Sequence, residues 1–293
     1  MSKSGESGAA AHLAAAVREL LPLADEERIR ALQRDRWIDY ARAGAVLERL
    51  TRLLGTPERD RMPCLLLHGE SNIGKTQIVR KFLRDHPPTF DEERGVERRQ
   101  IISMQMPALP EQHRFYTALL FEIGAPHSPK AGVSVLEGLT RTLLHAMKPR
   151  MLVVDEVHHL LAGSHREQRA SMNLLKYLAN DLQMSVVLVG TADARVALQT
   201  DAQMSSRFPP IELPRWGESE EFRRFLHAFE RLLPLKKASS LAQRDVVQFV
   251  LAATGGITGA IAQLLAHAAE LAIGDRTEQI SLAHLEHVAQ VTA

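Results

Sequence analysis

The chain has a single cysteine, Cys64, among 293 residues, so no internal disulfide can form. That fits a reducing compartment, and the position of Cys64 at the head of an apolar run reads as a small core hydrophobe. Charge of one sign is also missing. Thirty-six basic residues are offset by 35 acidic ones for a formal net charge of +1, so bulk electrostatics announces no polyanion partner, although a local basic face is compatible with the count. No stretch approaches the roughly 18 consecutive apolar residues of a membrane span. Met1–Ala11 is small and polar, without the apolar centre of a signal peptide. The expectation is a soluble, cytoplasmic protein without a membrane partner. Internal repeats and long low-complexity tracts are absent as well.

What is present is an ordinary globular composition, 45% apolar and 24% charged, long enough for one large domain or two smaller ones. Residues 1–24 open with Ser, Gly and Ala and are expected to be disordered. Residues 25–54 form an N-terminal helical segment, with Asp25 as a possible cap and Gly44 as a possible break. After a Pro-marked polar loop, short apolar runs alternate with helical patterns: Cys64–His68, Ile101–Met106, Met151–Val154 and Val186–Val189 against Thr76–Arg84, Glu111–Ile123, Val133–Met147 and Ser171–Leu182. Continuous apolar strands between helices call for a parallel sheet covered on both faces. This α/β domain spans 55–214. Residues 215–293 carry helical patterns only, over Glu218–Leu232, Leu241–Ala252, Ile257–Ile273 and Ser281–Gln290, and make a second, all-helical domain.

Between the first strand and its helix lies Gly69-Glu70-Ser71-Asn72-Ile73-Gly74-Lys75-Thr76, which satisfies G-x-x-x-x-G-K-[ST]. Such a loop turns its backbone N–H groups onto phosphate oxygens. Lys75 neutralises the β- and γ-phosphates, Thr76 reaches Mg²⁺, and the following helix adds its positive end. A chance match arises in roughly one chain in a hundred of this length, and the flanking strand and helix lower that further. Met151-Leu-Val-Val-Asp155-Glu156 is a buried strand that releases two carboxylates at its C-terminal edge. Asp155 suits the Mg²⁺ shell, and Glu156 suits a general base for water. Thr191, ending Val186–Gly190, is either a hydrogen-bonding partner for that water or the γ-phosphate, or a plain turn residue. His158-His159 lacks a second ligand pair and reads as structural. Trp37 and Tyr40 either flank a base or pack between helices.

With these motifs in place the chain resembles the TniB/TnsC-like AAA+ ATPases that regulate DNA transposition. The resemblance rests on Arg36-Trp-Ile-Asp-Tyr40, Gly69–Thr76, Val154-Asp-Glu-Val-His-His159, Val189-Gly-Thr191 and Ser206-Arg207-Phe208. It implies an AAA+ P-loop NTPase with a parallel sheet and a C-terminal helical lid, using ATP and Mg²⁺. It also implies ATP-bound rings or helical filaments on double-stranded DNA, recruitment of a transposase and of a target-selection protein, and disassembly on hydrolysis. Arg207 matches the arginine that completes a neighbour's site. In such a ring, Pro107–Arg114 and Gly163–Arg169 are pore-facing loops, making Arg98, Arg99, Arg114, Lys130, Arg166 and Arg169 candidates for phosphate contact with little base reading. One departure stands out: Gly255-Gly-Ile-Thr-Gly-Ala-Ile261 has no arginine where many lids carry one, which points to slow or partner-dependent hydrolysis. The rival expectation is a helicase or clamp-loader motor.

Overall fold

A computed structural model describes residues 10–93, 95–199 and 202–292. The chain divides into two compact units. One comprises Met1–Gly44 with Arg215–Ala293, and the other Ala45–Pro214.

The chain begins with helices α1 (Ala15–Arg18), α2 (Asp25–Leu32) and α3 (Ala41–Leu54), the last of which runs through Gly44 without a break. Asp25 lies inside the first turn of α2 and holds Arg28 at 3.0 Å rather than capping the helix. Of the segment expected to be disordered, Met1–Ala9 lies outside the described residues. Residues 10–23, by contrast, form turns and α1. The reason is an apolar i, i+4 pair, Leu13 and Val17, both buried, with Ala14 N donating to Arg231 O at 2.9 Å.

The α/β unit follows in chain order: β1 (Leu65–Gly69), α4 (Lys75–Asp85), a hairpin of β2 (Thr89–Asp91) and β3 (Val96–Arg98), β4 (Ile101–Gln105), α5 (Gln112–Glu122), α6 (Val133–Met147), β5 (Met151–Asp155), a 3₁₀ helix (Val157–Ala162), α7 (His165–Asp181), β6 (Ser185–Gly190), α8 (Ala192–Gln199), α9 (Ala202–Arg207) and β7 (Pro210–Leu213). The main sheet has five parallel strands in the order β4-β5-β6-β1-β7. Strands β1, β5 and β6 are buried along their whole length, as their unbroken apolar runs require when helices cover both faces. Because the strands are parallel, the ends of β1, β5 and β6 come out side by side on one edge, with β6 in the middle. The sheet core is filled by Leu66, Leu152, Val154, Val186 and Leu188 against Phe115, Leu119, Leu175 and Leu178 of α5 and α7.

Helix α7 starts six residues before the expected Ser171. Ser164 Oγ accepts from Glu167 N while Glu167 Oε2 accepts from Ser164 N at 2.7 Å, a reciprocal capping box that begins the helix at His165. Gly163–Arg169 is therefore mostly the head of a helix and not a loop.

In the other unit, α10 (Glu220–Glu230), α11 (Arg244–Thr254), α12 (Thr258–Gly274) and α13 (Leu282–Thr292) enclose a separate core. Trp216 lies at its centre. Its ring stacks on Phe225 at 4.7 Å, meets Tyr40 edge-on at 5.2 Å, and carries the Arg42 guanidinium at 5.0 Å. Burial pushes the Tyr40 hydroxyl up to about 12, and its ring packs edge-on against Trp216 and Phe225. Trp216 Nε1 donates to Thr258 Oγ1 at 3.1 Å, at the start of α12. Arg28, fully buried, ties α2 to this core through Glu278 (Nη1–Oε1 2.8 Å) and Pro234 O (Nη2 2.6 Å). No single described helix is long and apolar enough to cross a membrane. Helices α11 and α12 reach that length only together, bent by 118°, and seven apolar residues of α12, from Ile261 to Ile273, are buried in the core.

Candidate nucleotide-binding site

The loop 69–76 connects a fully buried strand to a helix whose N-terminal amides have no side-chain cap. Two backbone demands shape it. A β-carbon at Gly69 would lie 2.5 Å from Leu213 O, so only glycine allows β7 so close. Gly74 turns the chain into α4 with φ 106°, and Asn72 is also left-handed at φ 62°. Ile73, buried, pins the middle of the loop to the core.

Lys75 folds back over this loop. Its Nζ donates to Gly69 O at 3.0 Å and to Glu70 O at 2.7 Å, two carbonyl oxygens that stand in for anionic oxygens. The ammonium is buried, which lowers its pKa, while the charges of Glu156 and Asp155 act in the opposite direction. Next to it, Thr76 Oγ1 donates to Asp155 Oδ2 at 2.7 Å, across 79 residues of sequence. Asp155 Oδ1 accepts from Glu156 N at 2.8 Å, so both its oxygens are oriented. Glu156 is left-handed at φ 55°, and its side chain is 40% exposed. Thr191 Oγ1, at the end of the intervening strand β6, is buried and makes no hydrogen bond. A buried hydroxyl without a partner is costly unless something binds there. The edge of β1, β6 and β5 thus gathers a cation on provisional acceptors, a hydroxyl–carboxylate pair, a solvent-facing carboxylate and an unsatisfied hydroxyl. That donor set suits a nucleoside triphosphate with a hard divalent cation.

The other expected residues lie elsewhere. Arg207, the last residue of α9, donates through Nη2 to Asn180 Oδ1 at 2.7 Å at the far end of α7, and its Nε is buried without a partner. Arg99 pairs with Glu97 and donates to Glu122 O at 3.2 Å; Arg114 pairs with Glu111 at 3.2 Å. Arg98 ends β3 and Lys130 is exposed in the α5–α6 connection. Arg166 and Arg169 are the pair brought together, lining an open groove with Ala170 and Asn173 on the head of α7. His159 Nδ1 bonds Met106 O at 3.0 Å, and among the described residues no His/Cys/Asp/Glu group is arranged to hold a metal by itself. Asn180 and His158, which touch Arg207 and Glu156, were not readable as partners from sequence. The capping box at Ser164 was, through its S-x-x-E spacing.

Sheet order, loop and helical C-terminal region together are those of an AAA+ P-loop NTPase fold. More particularly, the family profile described as Bacterial TniB protein matches residues 28–218, and the chain belongs to that family. No curated protein is significantly similar in sequence. Among solved structures, the chain is similar to the Aeropyrum pernix ORC1 protein in complex with DNA, with a TM-score of 0.62, 18% identity, and coverage of 90% of this chain and 69% of that one. Drosophila ORC bound to DNA gives 0.60 and 15% over 92% and 66%. The Walker-type ATPase of Pyrococcus abyssi gives 0.55 and 13% over 86% and 71%. At these identities the likeness is one of fold, and the chain spans only about two thirds of the Drosophila chain's length.

Proposed function

We propose that the protein is an ATP-dependent, DNA-binding regulator of transposition. In this reading it oligomerises on duplex DNA, recruits a transposase, helps select the target, and disassembles when ATP is hydrolysed. Membership of the TniB family supports the biological role. The single observation that carries the chemistry is the Thr76–Asp155 bond set beside Lys75 and Glu156 on one sheet edge.

Each residue has an assigned task. Gly69, Glu70, Ser71, Asn72, Ile73 and Gly74 supply the backbone cradle. Lys75 exchanges its two carbonyl partners for β- and γ-phosphate oxygens, a gain because an ammonium meets anionic rather than neutral acceptors. Thr76 and Asp155 would hold Mg²⁺, which would supply positive charge against the phosphates. Glu156 takes the proton from water, and Thr191 Oγ1 donates or accepts at the water or γ-phosphate. Arg207 serves a neighbouring protomer, adding a cation where negative charge develops. Arg166 and Arg169 on α7 are the leading DNA-phosphate contacts; Arg98, Arg99, Arg114 and Lys130 are secondary, since Arg99 and Arg114 already have acidic partners.

The deciding experiment is electron microscopy of the chain with duplex DNA and a non-hydrolysable ATP analogue. Nucleotide-dependent rings or filaments on DNA are the expected result. Strand unwinding or directional movement would instead indicate a motor, and failure to bind duplex DNA would remove the transposition role.

A further inference from the structure

Four large apolar side chains of the α/β unit stand exposed and have no role so far: Phe90, Leu109, Phe121 and Leu161. Chain direction sorts them. The five strands of the main sheet are parallel, so segments that lead into a strand lie on one edge and segments that leave a strand lie on the other. Leu109 follows β4 and Leu161 follows β5, on the edge of the nucleotide site and of the head of α7. The β2–β3 hairpin runs directly into β4, on the opposite edge. That edge also holds Arg207, just before β7, and its partner Asn180 at the far end of α7.

On the strand-start edge, β2 and β3 pair with each other and with no third strand among the described residues. Such a short ladder is marginal in water unless a further strand or a packed face supports it. Phe90 is 66% exposed there and faces Glu97 across the ladder. Arg99 binds Glu97 and donates to Glu122 O at 3.2 Å, which ties the base of the hairpin to the end of α5. Next to Glu122 is Phe121, 77% exposed. Two phenylalanines thus flank one bridge. On the nucleotide edge, Pro110 is seated against Gly163, where a β-carbon would meet Pro110 Cγ at 2.4 Å. Ser171 Oγ donates to Pro110 O at 2.7 Å, and Gln168 Nε2 donates to Gly163 O at 2.8 Å. Leu109 and Leu161 are therefore displayed on a fixed frame, which lowers the cost of ordering a contact there. The edges also differ in charge. Glu92 and Glu93 are exposed at the hairpin tip, and Arg166 and Arg169 are exposed on the nucleotide edge.

We infer that Phe90 and Phe121 of one protomer dock on Leu109 and Leu161 of the next, forming an apolar seam between copies of this chain. Two observations make a second copy the occupant. The edges are complementary, apolar to apolar and acidic to basic, and the charges orient the approach without requiring the hairpin tip to touch the arginines. The seam is also continuous with the shared site proposed above. The edge that carries the two phenylalanines carries Arg207, and the edge that carries the two leucines carries the nucleotide site that Arg207 would serve. The inference rests on that reading of Arg207 and adds to it the surface that holds the protomers together. Aromatic anchors seated on an apolar patch supply most of the energy of such a contact. Because the two faces are unlike, the contact is heterologous: it propagates into a ring or a helix instead of closing as a two-fold dimer.

The test begins with sedimentation of the full chain with a non-hydrolysable ATP analogue, with and without duplex DNA. Phe90→Ser combined with Phe121→Ser is expected to raise the protomer concentration needed for assembly by about tenfold or more, with affinity for the analogue within about twofold of wild type. Leu109→Ser combined with Leu161→Ser should do the same from the other face. Cross-linking reads the contact directly. Cys64 is buried, so a Phe121→Cys chain mixed with a Leu161→Cys chain should be joined by a short bis-maleimide when the analogue is present, and neither chain by itself should be. Unchanged assembly in the two double variants, or no mixed cross-link while the mixture still assembles, overturns the inference. Cross-linking of Phe121→Cys to itself would show like faces in contact and overturn it as well. Arg207→Ala separates this seam from the reading beneath it. Normal assembly and hydrolysis by Arg207→Ala, with the mixed cross-link formed, leaves the seam standing and ends the arginine assignment. Loss of assembly in Arg207→Ala, with the phenylalanine variant assembling as wild type does, leaves the arginine and ends the seam. A wild-type chain that stays a single protomer with analogue and DNA overturns both.

Discussion

Lys75 is bound to its own loop, and that sets what its removal should do. The two carbonyls it holds are weaker partners than phosphate, so nucleotide binding proceeds by exchange rather than by filling an empty cage. Lys75→Ala is expected to weaken ATP binding by about a hundredfold or more, from the loss of charge-assisted bonds, as read by calorimetry. Unchanged affinity would remove the phosphate role from the loop. Glu156→Gln should behave differently. Its backbone N–H to Asp155 remains, so ATP affinity should stay within about threefold, while turnover drops by roughly 10²–10⁴ because an amide cannot accept the proton. The same variant should accumulate on DNA, which a sedimentation assay with ATP would detect. The residues behind both predictions were legible because each motif is a local string. Thr76 and Asp155 were each expected at a shared Mg²⁺; the direct bond between them was not, since nothing in either string specifies the other. Asn180 beside Arg207 and His158 beside Glu156 were not legible: an asparagine 27 positions from an arginine has no sequence signature.

At the scale of elements, the head of α7 is held by Ser164 and Glu167. The Glu167 carboxyl is drawn below its usual range by the Ser164 side chain and backbone. Ser164→Ala removes one half of the capping box and should destabilise the first turn by about 1 kcal/mol. Faster amide exchange over residues 165–168 would register this, and DNA affinity should fall with it because Arg166 sits on that turn and Arg169 directly follows it. Normal exchange there would show the box to be energetically idle. The α2 anchor has a pH signature. Burial alone would raise the Glu278 carboxyl, but hydrogen bonds from Arg28 and from Lys236, with the Arg28 charge, bring it down to about 2 from an ordinary 4.5. A carboxyl lowered on folding contributes stability that is present above the unfolded value and lost as pH falls through the folded one. The contribution, on the order of 3 kcal/mol, should therefore be constant above about pH 5 and disappear between about pH 4.5 and 2. Denaturant titrations across that range test it. Asp275, also held at about 2 by the Thr277 backbone and hydroxyl, titrates in the same window, so Glu278→Gln should flatten the slope without abolishing it. Period and length made the long helices and buried strands readable, and Val133–Met147 matches its helix end to end. The three-residue strands β2 and β3 and the short helices α8 and α9 were missed, because elements of that size carry no full period.

At the scale of the whole molecule, the proposed function asks a second protomer to complete the site. Arg207 is oriented by a neutral amide, which fixes its direction without cancelling its charge, and this suits a cation offered to a second copy. Arg207→Ala should leave nucleotide binding by the single protomer within about threefold of wild type, yet lose assembly and reduce hydrolysis by roughly 10³. Mixing Arg207→Ala with Lys75→Ala is the sharper measurement. Each is inactive alone, but a mixed interface pairs an intact pocket from the first with an intact arginine from the second, so partial recovery of ATPase is expected. Normal hydrolysis and normal assembly by Arg207→Ala alone would end the shared-site reading.

From sequence alone came the parallel α/β class, the helical C-terminal region, the phosphate-loop string, the acidic strand end and the family resemblance. All of these are written in short windows, as apolar period, glycine placement or contiguous motif. Tertiary structure decided the rest. It grouped α1 and α2 with the C-terminal helices, because Arg28, Leu32 and Tyr40 join a core built largely from residues beyond 214. It turned an expected loop into the head of α7, and it set Arg207 on Asn180 and Glu156 beside His158. Those outcomes depend on which side chains meet after the chain has folded back on itself, and a one-dimensional pattern does not encode contacts between residues that share no window.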